Sequence, residues 1–252
     1  MNSATAARLV ALNREFYDQF GDSFSATRGR LQPGVMRILE TLRGDESILD
    51  LGCGNGELAR ELARRRHHAP YLGLDFSLPL LRAAESHPEG FAATFRVVDL
   101  TQLSVRSAKS PDFAQSRETL DSDSAWSLIT AFAVLHHIPG EELRLNLLRT
   151  VHGLLAEDGR FILSNWQFLN SERLKARIQP WQAAGLSASD VDAGDSLLDW
   201  KRGGTGLRYA HHFSAEELSA LAEQTGFRVN ESFLSDGEGG KLGLYQVWVL
   251  DN

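Results

Sequence analysis

The residues most able to do chemistry lie in SILDLGCGNGEL, from Ser47 to Leu58. An apolar run (Ile48, Leu49, Leu51) stops at three glycines, Gly52, Gly54 and Gly56, and an amphipathic pattern starts at Glu57 and continues to about Arg66. The spacing predicts strand, tight turn, helix. Glycines there let the backbone approach a ligand closely, and the new helix points unpaired N–H groups at it. The order is D-x-G-x-G-x-G, from Asp50 to Gly56. A carboxylate just ahead of the turn would repel a pyrophosphate and suits a cationic ligand group. The next apolar run ends at Asp75, 25 residues after Asp50, where an acid can accept hydrogen bonds from both ribose hydroxyls. A third acid, Asp99, closes the run from Thr94 to Val98.

Three acids at three strand ends describe a site for a nucleoside with a positive centre, as in S-adenosylmethionine (SAM). The plain alternative is an ordinary strand-to-helix turn. Cys53 sits inside the turn, where a small side chain is needed, and takes no catalytic role.

The elements that must hold these residues follow from periodicity. Strands are expected at 48–51, 71–74, 94–98, 127–133 and 160–165, with helices at 57–66, 78–86 and 141–155 between them. Short strands alternating with helices of 10 to 15 residues imply a parallel sheet with right-handed crossovers. Ser77 is a plausible N-cap for the helix at Leu78. A closing helix, 214–225, opens with Ser214 and Glu217, a capping box. Strands at 227–234 and 244–250 flank SDGEGGKLG, a hairpin signal. The expected fold is α/β: a Rossmann-like, seven-stranded, mostly parallel sheet with an antiparallel last strand.

The 252 residues fit a single α/β domain, 1–252, with embellishments. Residues 1–30 read as an N-terminal helix (Leu9, Leu12, Phe16 and Phe20 on one face) followed by small polar residues closing on Arg28 and Arg30; they form either a lid or a cap over the sheet edge. A second helix is expected at 32–43, with Pro33 in its first turn. Residues 101–125 are polar and carry few apolar groups, so they read as mostly disordered. Residues 167–212 follow the fifth strand at the carboxyl end of the sheet, where open α/β sheets bind ligands, and read as a substrate cover. The lone cysteine excludes an internal disulfide and fits a reducing, cytoplasmic setting. Neither a membrane span nor an apolar signal region is expected. A net charge of −7 argues against a chain whose whole surface grips nucleic acid, though not against a local basic patch.

DLGCGNG, Asp75 and the terminal hairpin together resemble the class I SAM-dependent methyltransferases, from about Gln32 to Asn252. The resemblance implies SAM as cofactor, with S-adenosylhomocysteine as product, held by Asp50, Gly52, Gly54, Asn55, Gly56, Asp75, Phe76, Ser77, Asp99 and Leu100. Ala131 and Val134, at the fourth-strand end, would line the methyl-transfer centre, and no metal is implied. A narrower resemblance rests on Tyr17–Asp18, Ser25–Arg28, Val134–His137, Gly194–Trp200 and Arg208–Phe213. These segments are similar to the tRNA wobble-uridine carboxymethyl methyltransferases, and imply methyl-ester formation on 5-carboxymethyluridine of tRNA. Related RNA enzymes pair with a small zinc-containing activator, whose expected seat here is the strand from Thr94 to Val98, by strand addition.

Methylating a carboxylate needs no general base, because the group is already ionised at neutral pH. It needs a cation to hold the carboxylate, and Arg28 and Arg208 are the candidates. His136 either touches substrate or packs. Tyr17 is assigned to substrate. Tyr209 and His211 either reach substrate or pack on the sheet, and Trp166 and Trp200 either stack a base or belong to the core. A small-molecule O- or N-methyltransferase, and a SAM-binding partner without catalysis, are the competing functions.

Overall fold

The computed structural model describes residues 1–25, 29–86, 90–106, 119–121 and 125–251. Two helices lead the chain, α1 (Ser3–Ser25) and α2 (Pro33–Leu39). Then come β1 (Ile48–Leu51), α3 (Glu57–Arg64), β2 (Tyr71–Asp75), α4 (Leu78–Ala84) and β3 (Ala93–Val97). After two short strands, β4 (Ser104–Arg106) and β5 (Thr119–Asp121), the alternation resumes with β6 (Trp126–Phe132), α5 (Glu141–Leu154) and β7 (Leu155–Trp166). The segment 167–212 holds α6 (Glu172–Lys175), β8 (Ile178–Gln179), β9 (Asp195–Trp200) and β10 (Gly206–His211). The chain closes with α7 (Ala215–Gln224), β11 (Phe227–Ser235) and β12 (Gly243–Leu250).

The main sheet has seven strands in the order β11-β12-β7-β6-β1-β2-β3. β1 pairs in parallel with both β2 and β6, while β12 runs antiparallel to β7 and to β11. Strand order therefore reverses between β1 and β6, which opens a crevice at their carboxyl ends. Side-chain alternation sorts the core onto two faces. Ile48 joins Val35, Ile38, Leu58 and Leu62 on one face. Leu49 and Leu51 join Leu147, Leu148, Val151 and Leu218 on the other. Both helical layers thus press on the centre of the sheet, where β1 is buried throughout.

Two segments carry structure that periodicity did not give. The segment 167–212 carries its own antiparallel sheet, β10-β9-β8. Its apolar residues Leu197, Leu198, Tyr209 and Ala210 are buried, so it is a packed layer, and Arg173, Leu174 and Arg208 of the same segment line the cavity described below. Part of the polar stretch 101–125 is also packed: β4 and β5 pair in parallel, and Leu103 and Leu120 are buried in the core that α5 completes. Residues 107–118 and 122–124, on which most of the disorder expectation falls, lie outside the described residues. Among the described residues no helix is long and apolar enough to cross a membrane.

Candidate active site

The glycine turn is built by backbone conformation. Gly52, Gly54 and Gly56 have φ of 68°, 56° and 77°, a region open to glycine at little cost. A Cβ on Gly52 would fall 2.5 Å from Val134 Cγ2, whereas one on Gly54 would meet nothing within 4 Å. Gly52 is thus required by the wall behind it, and Gly54 leaves room in front. Gly56 does a different job. A Cβ there would strike Ala84, so this glycine lets α3 pack against α4, and it does not line the cavity.

The turn opens onto a cavity of about 540 Å³, within the range of small-ligand sites. Asp50, Gly52, Gly54, Asn55, Asp75, Phe76, Asp99, Leu100 and Val134 line it. Besides Gly56, two expected cofactor residues do not. Ala131 is buried in the core one residue short of the β6 end, and its neighbours Ala133 and Val134 take the wall instead. Ser77 is fully buried under α1, and its backbone N–H donates to Asp75 Oδ1 at 2.9 Å.

The acids are held differently. Asp50 accepts from Tyr71 Oη at 2.6 Å and from Thr130 Oγ1 at 2.7 Å. Burial raises its pKa to about 6, against the pull of those two hydroxyls, and the charge of Asp75 adds to the rise. Asp75 accepts from the N–H groups of Gly54 and Ser77, both at 2.9 Å, and burial again lifts its pKa. Among the described residues no cation pairs with either carboxylate, although two buried acids line one cavity. Asp99 is already engaged: Oδ2 pairs with Arg14 of α1 at 2.7 Å, and Oδ1 accepts from Thr101. An adenine amine at this acid would share it with Arg14.

The opposite lining comes from α1 and the segments around β7 and β10. Asn13 fixes the arrangement: its Oδ1 accepts from Tyr209 N at 2.8 Å, and its Nδ2 donates to the carbonyls of Tyr209 and His137 at 3.2 and 3.3 Å. Tyr17, His136, His137, Trp166 and Arg208 all line the cavity. The Arg208 guanidinium is buried, 5.3 Å from the ring of Phe16 and 4.9 Å from that of Trp166. His136 is buried, and its Nδ1 accepts from Trp166 N at 3.3 Å. Arg30 and Arg173 add two further cations to the lining. Arg28, the other carboxylate candidate, lies outside the described residues.

Three expected substrate residues are elsewhere. Trp200 packs on Phe16 and its Nε1 donates to the Arg202 carbonyl at 2.5 Å, away from the cavity lining. Tyr209 and His211 belong to a buried polar network. Tyr209 Oη donates to Asp195 at 2.7 Å and accepts from Arg144 at 2.9 Å. His211 bridges Asp195 at 2.7 Å and Glu217 at 2.9 Å. Burial opposes charge on His211, but the two carboxylates outweigh it and leave its pKa raised. Their groups satisfy one another, so neither residue reaches toward a ligand. Sequence reasoning missed Asn13, Arg14 and Arg144, because each finds its partner far along the chain. It also missed Asn165, whose buried carboxamide lines the cavity with no hydrogen-bond partner among the described residues.

Residues 24–232 match the methyltransferase domain family. This chain belongs to that family. The methyltransferase is 28% identical over 150 residues to the tRNA (carboxymethyluridine(34)-5-O)-methyltransferase of Arabidopsis thaliana, covering 60% of this chain and 31% of that protein. It is 27% identical over 119 residues to the ubiquinone biosynthesis O-methyltransferase of Actinobacillus pleuropneumoniae, covering 47% of this chain and 45% of that protein. The chain therefore spans less than half the length of these curated relatives. Among solved structures, a SAM-dependent methyltransferase of Methanosarcina mazei shares its fold, with a TM-score of 0.63 at 22% identity over 87% of this chain and 99% of that one. SAM is the cofactor of this methyltransferase domain. The chemistry of the lining fits it: two buried acids with no cation paired to them among the described residues suit a positively charged ligand, and the open face of Gly54 leaves room for it.

Proposed function

We propose that this methyltransferase acts on the carboxylate of 5-carboxymethyluridine at the wobble position of tRNA and makes the methyl ester. The observation that carries the reading is Arg208, a buried guanidinium lining the same cavity as Asp50 and Asp75. A guanidinium packed against aromatic rings is of the type that binds a carboxylate with two hydrogen bonds. Trp166 beside it offers a face on which a base can stack, an interaction of roughly 1–3 kcal/mol.

SAM, when bound, supplies an activated methyl group on a sulfonium. In this reading Asp75 retains lone pairs beyond those used by Gly54 and Ser77, and accepts from ribose hydroxyls. Asp50 meets the amine, and Phe76 and Leu100 flank the adenine ring. Arg208 orients the acceptor carboxylate, His136 and Tyr17 border it, and Val134 and Leu174 exclude water. No proton need move, since the carboxylate is ionised at neutral pH. Alignment of this kind supplies roughly 7–11 kcal/mol of the barrier. A small zinc-containing activator adding a strand beside β3, the last strand of the described sheet, is part of the same proposal; calorimetry of SAM binding to the chain alone tests the need for it.

The test is incubation with SAM and tRNA bearing 5-carboxymethyluridine, then digestion to nucleosides. Failure to find the methyl ester, even with an activator supplied, sinks the proposal. A second reading, methylation of a small O- or N-acceptor, is favoured by the net charge of −7 and by the likeness to an O-methyltransferase of ubiquinone biosynthesis. Binding to tRNA that weakens steeply with salt counts against it.

A further inference from the structure

One pair lining the cavity is joined in a way that carboxylate methylation, which moves no proton, does not use. His137 Nδ1 lies 2.9 Å from the Tyr209 carbonyl oxygen, and His137 Nε2 lies 3.1 Å from Tyr17 Oη. A carbonyl only accepts, so Nδ1 carries the proton. In the neutral imidazole Nε2 is then an acceptor, and the Tyr17 hydroxyl donates to it. The tautomer is fixed from behind, because Asn13 holds the backbone of both Tyr209 and His137. Both Tyr17 and His137 line the cavity, and His137 lies in the turn that follows β6. An imidazole with its far nitrogen tied to a carbonyl and its near nitrogen joined to a hydroxyl at the cavity wall has the geometry of a general base acting through that hydroxyl.

We propose that Tyr17 and His137 form a proton-accepting pair, and that the site also methylates acceptors whose nucleophilic oxygen is protonated at neutral pH, of the phenol class. As the acceptor oxygen attacks, its proton passes to Tyr17 Oη while the Tyr17 proton passes to His137 Nε2. The new oxygen–carbon bond forms as the carbon–sulfur bond of SAM breaks, with that electron pair left on sulfur. The positive charge that began on the sulfonium ends on the His137 imidazolium, whose Nδ1–H remains bonded to the Tyr209 carbonyl. Tyr17 is the catalytic residue; His137 acts through it. The inference does not depend on the carboxylate reading, which uses no base.

The test uses the purified chain and 4-nitrophenol, at a pH on the acid side of that phenol's own pKa. The wild type should produce the nitrophenolate absorbance, and Tyr17→Phe and His137→Gln should reduce it by about tenfold or more while melting temperatures show each variant folded. Nitrogen NMR of the wild type should find the neutral His137 ring protonated at Nδ1. No nitrophenolate band in the wild type overturns the proposal. So does a band that survives His137→Gln, which would assign the ionisation to the charge of Arg208, and so does a neutral ring protonated at Nε2. Methyl-ester formation on tRNA, measured separately, decides the carboxylate reading whichever way this one falls.

Discussion

Two regions of the molecule use the same residue types to opposite ends. At the tips of β1 and β2, Asp50 and Asp75 are buried with hydroxyl and backbone donors but no cation among the described residues, and both line the cavity. In the packed layer between α5, β9 and α7, Asp195 is equally out of water but surrounded by Arg144, Tyr209 and His211. The first region holds charge that its own residues do not neutralise, which suits an arriving cation. The second has closed its circuit. An acid, a histidine and a tyrosine brought together are therefore no sign of a ligand site; whether the protein has already supplied the partner decides.

The largest way to break this contrast is to remove an acid from each region. Asp195→Ala should destabilise the fold by about 3–5 kcal/mol, because it removes the buried carboxylate that Arg144, Tyr209 and His211 share; a denaturant melt that shows no loss overturns the structural role. Asp50→Asn should leave stability unchanged or raised at pH 7, since the carboxyl pKa of about 6 means the charged form is disfavoured in the fold. The same variant should weaken SAM binding roughly 10- to 100-fold by calorimetry, about 1.4–2.7 kcal/mol. Asp75→Ala should lose at least as much affinity, as both ribose acceptors go with it.

The pH dependence sharpens the contrast further. A cationic ligand group favours ionised Asp50, so SAM affinity should fall by up to tenfold per pH unit below about 6, where binding must first expel a proton. The polar network responds with two limits. His211 has a raised pKa, so its contribution is full below the ordinary imidazole range and fades as pH rises through the raised value. Asp195, although burial alone would raise it, is held low by His211 and Tyr209, so its contribution is present at neutral pH and fades on strong acidification. Melting temperature against pH should therefore decline at both ends, and Asp195→Ala should flatten the curve. The smallest effect separates the two tryptophans: Trp166→Phe should alter acceptor KM a few-fold, while Trp200→Phe should change stability by under about 1.5 kcal/mol and leave KM alone.

Much of the cofactor end was legible because its geometry is local. Gly52 and Gly54 mark positions where backbone needs positive φ, and the apolar run before them ends in a strand tip, so Asp50 and Asp75 had to emerge at the crevice edge. Gly56 and Ser77 share that local pattern but serve other ends: Gly56 lets α3 approach Ala84 of α4, and the Ser77 N–H holds Asp75. The acceptor end was less legible. Tyr209, His211 and Trp200 sit in the same stretch as Arg208, yet only Arg208 of the four lines the cavity. Tyr209 and Arg208 are consecutive on β10, so their side chains leave opposite faces of the strand, and nothing in composition says which face meets the cavity.

What the sequence by itself determined is the run of strand tips with their acids, the glycine turn and the reversed hairpin that ends the sheet. Each follows from periodicity and backbone preference over a few neighbouring residues. Only the tertiary structure decided which polar groups look at a ligand and which look at each other. Arg144 with Asp195, Asn13 with Tyr209, and Tyr17 with His137 are pairings between distant parts of the chain. Desolvation and partner geometry exist only once those parts have met, and those two terms separate a site from a core.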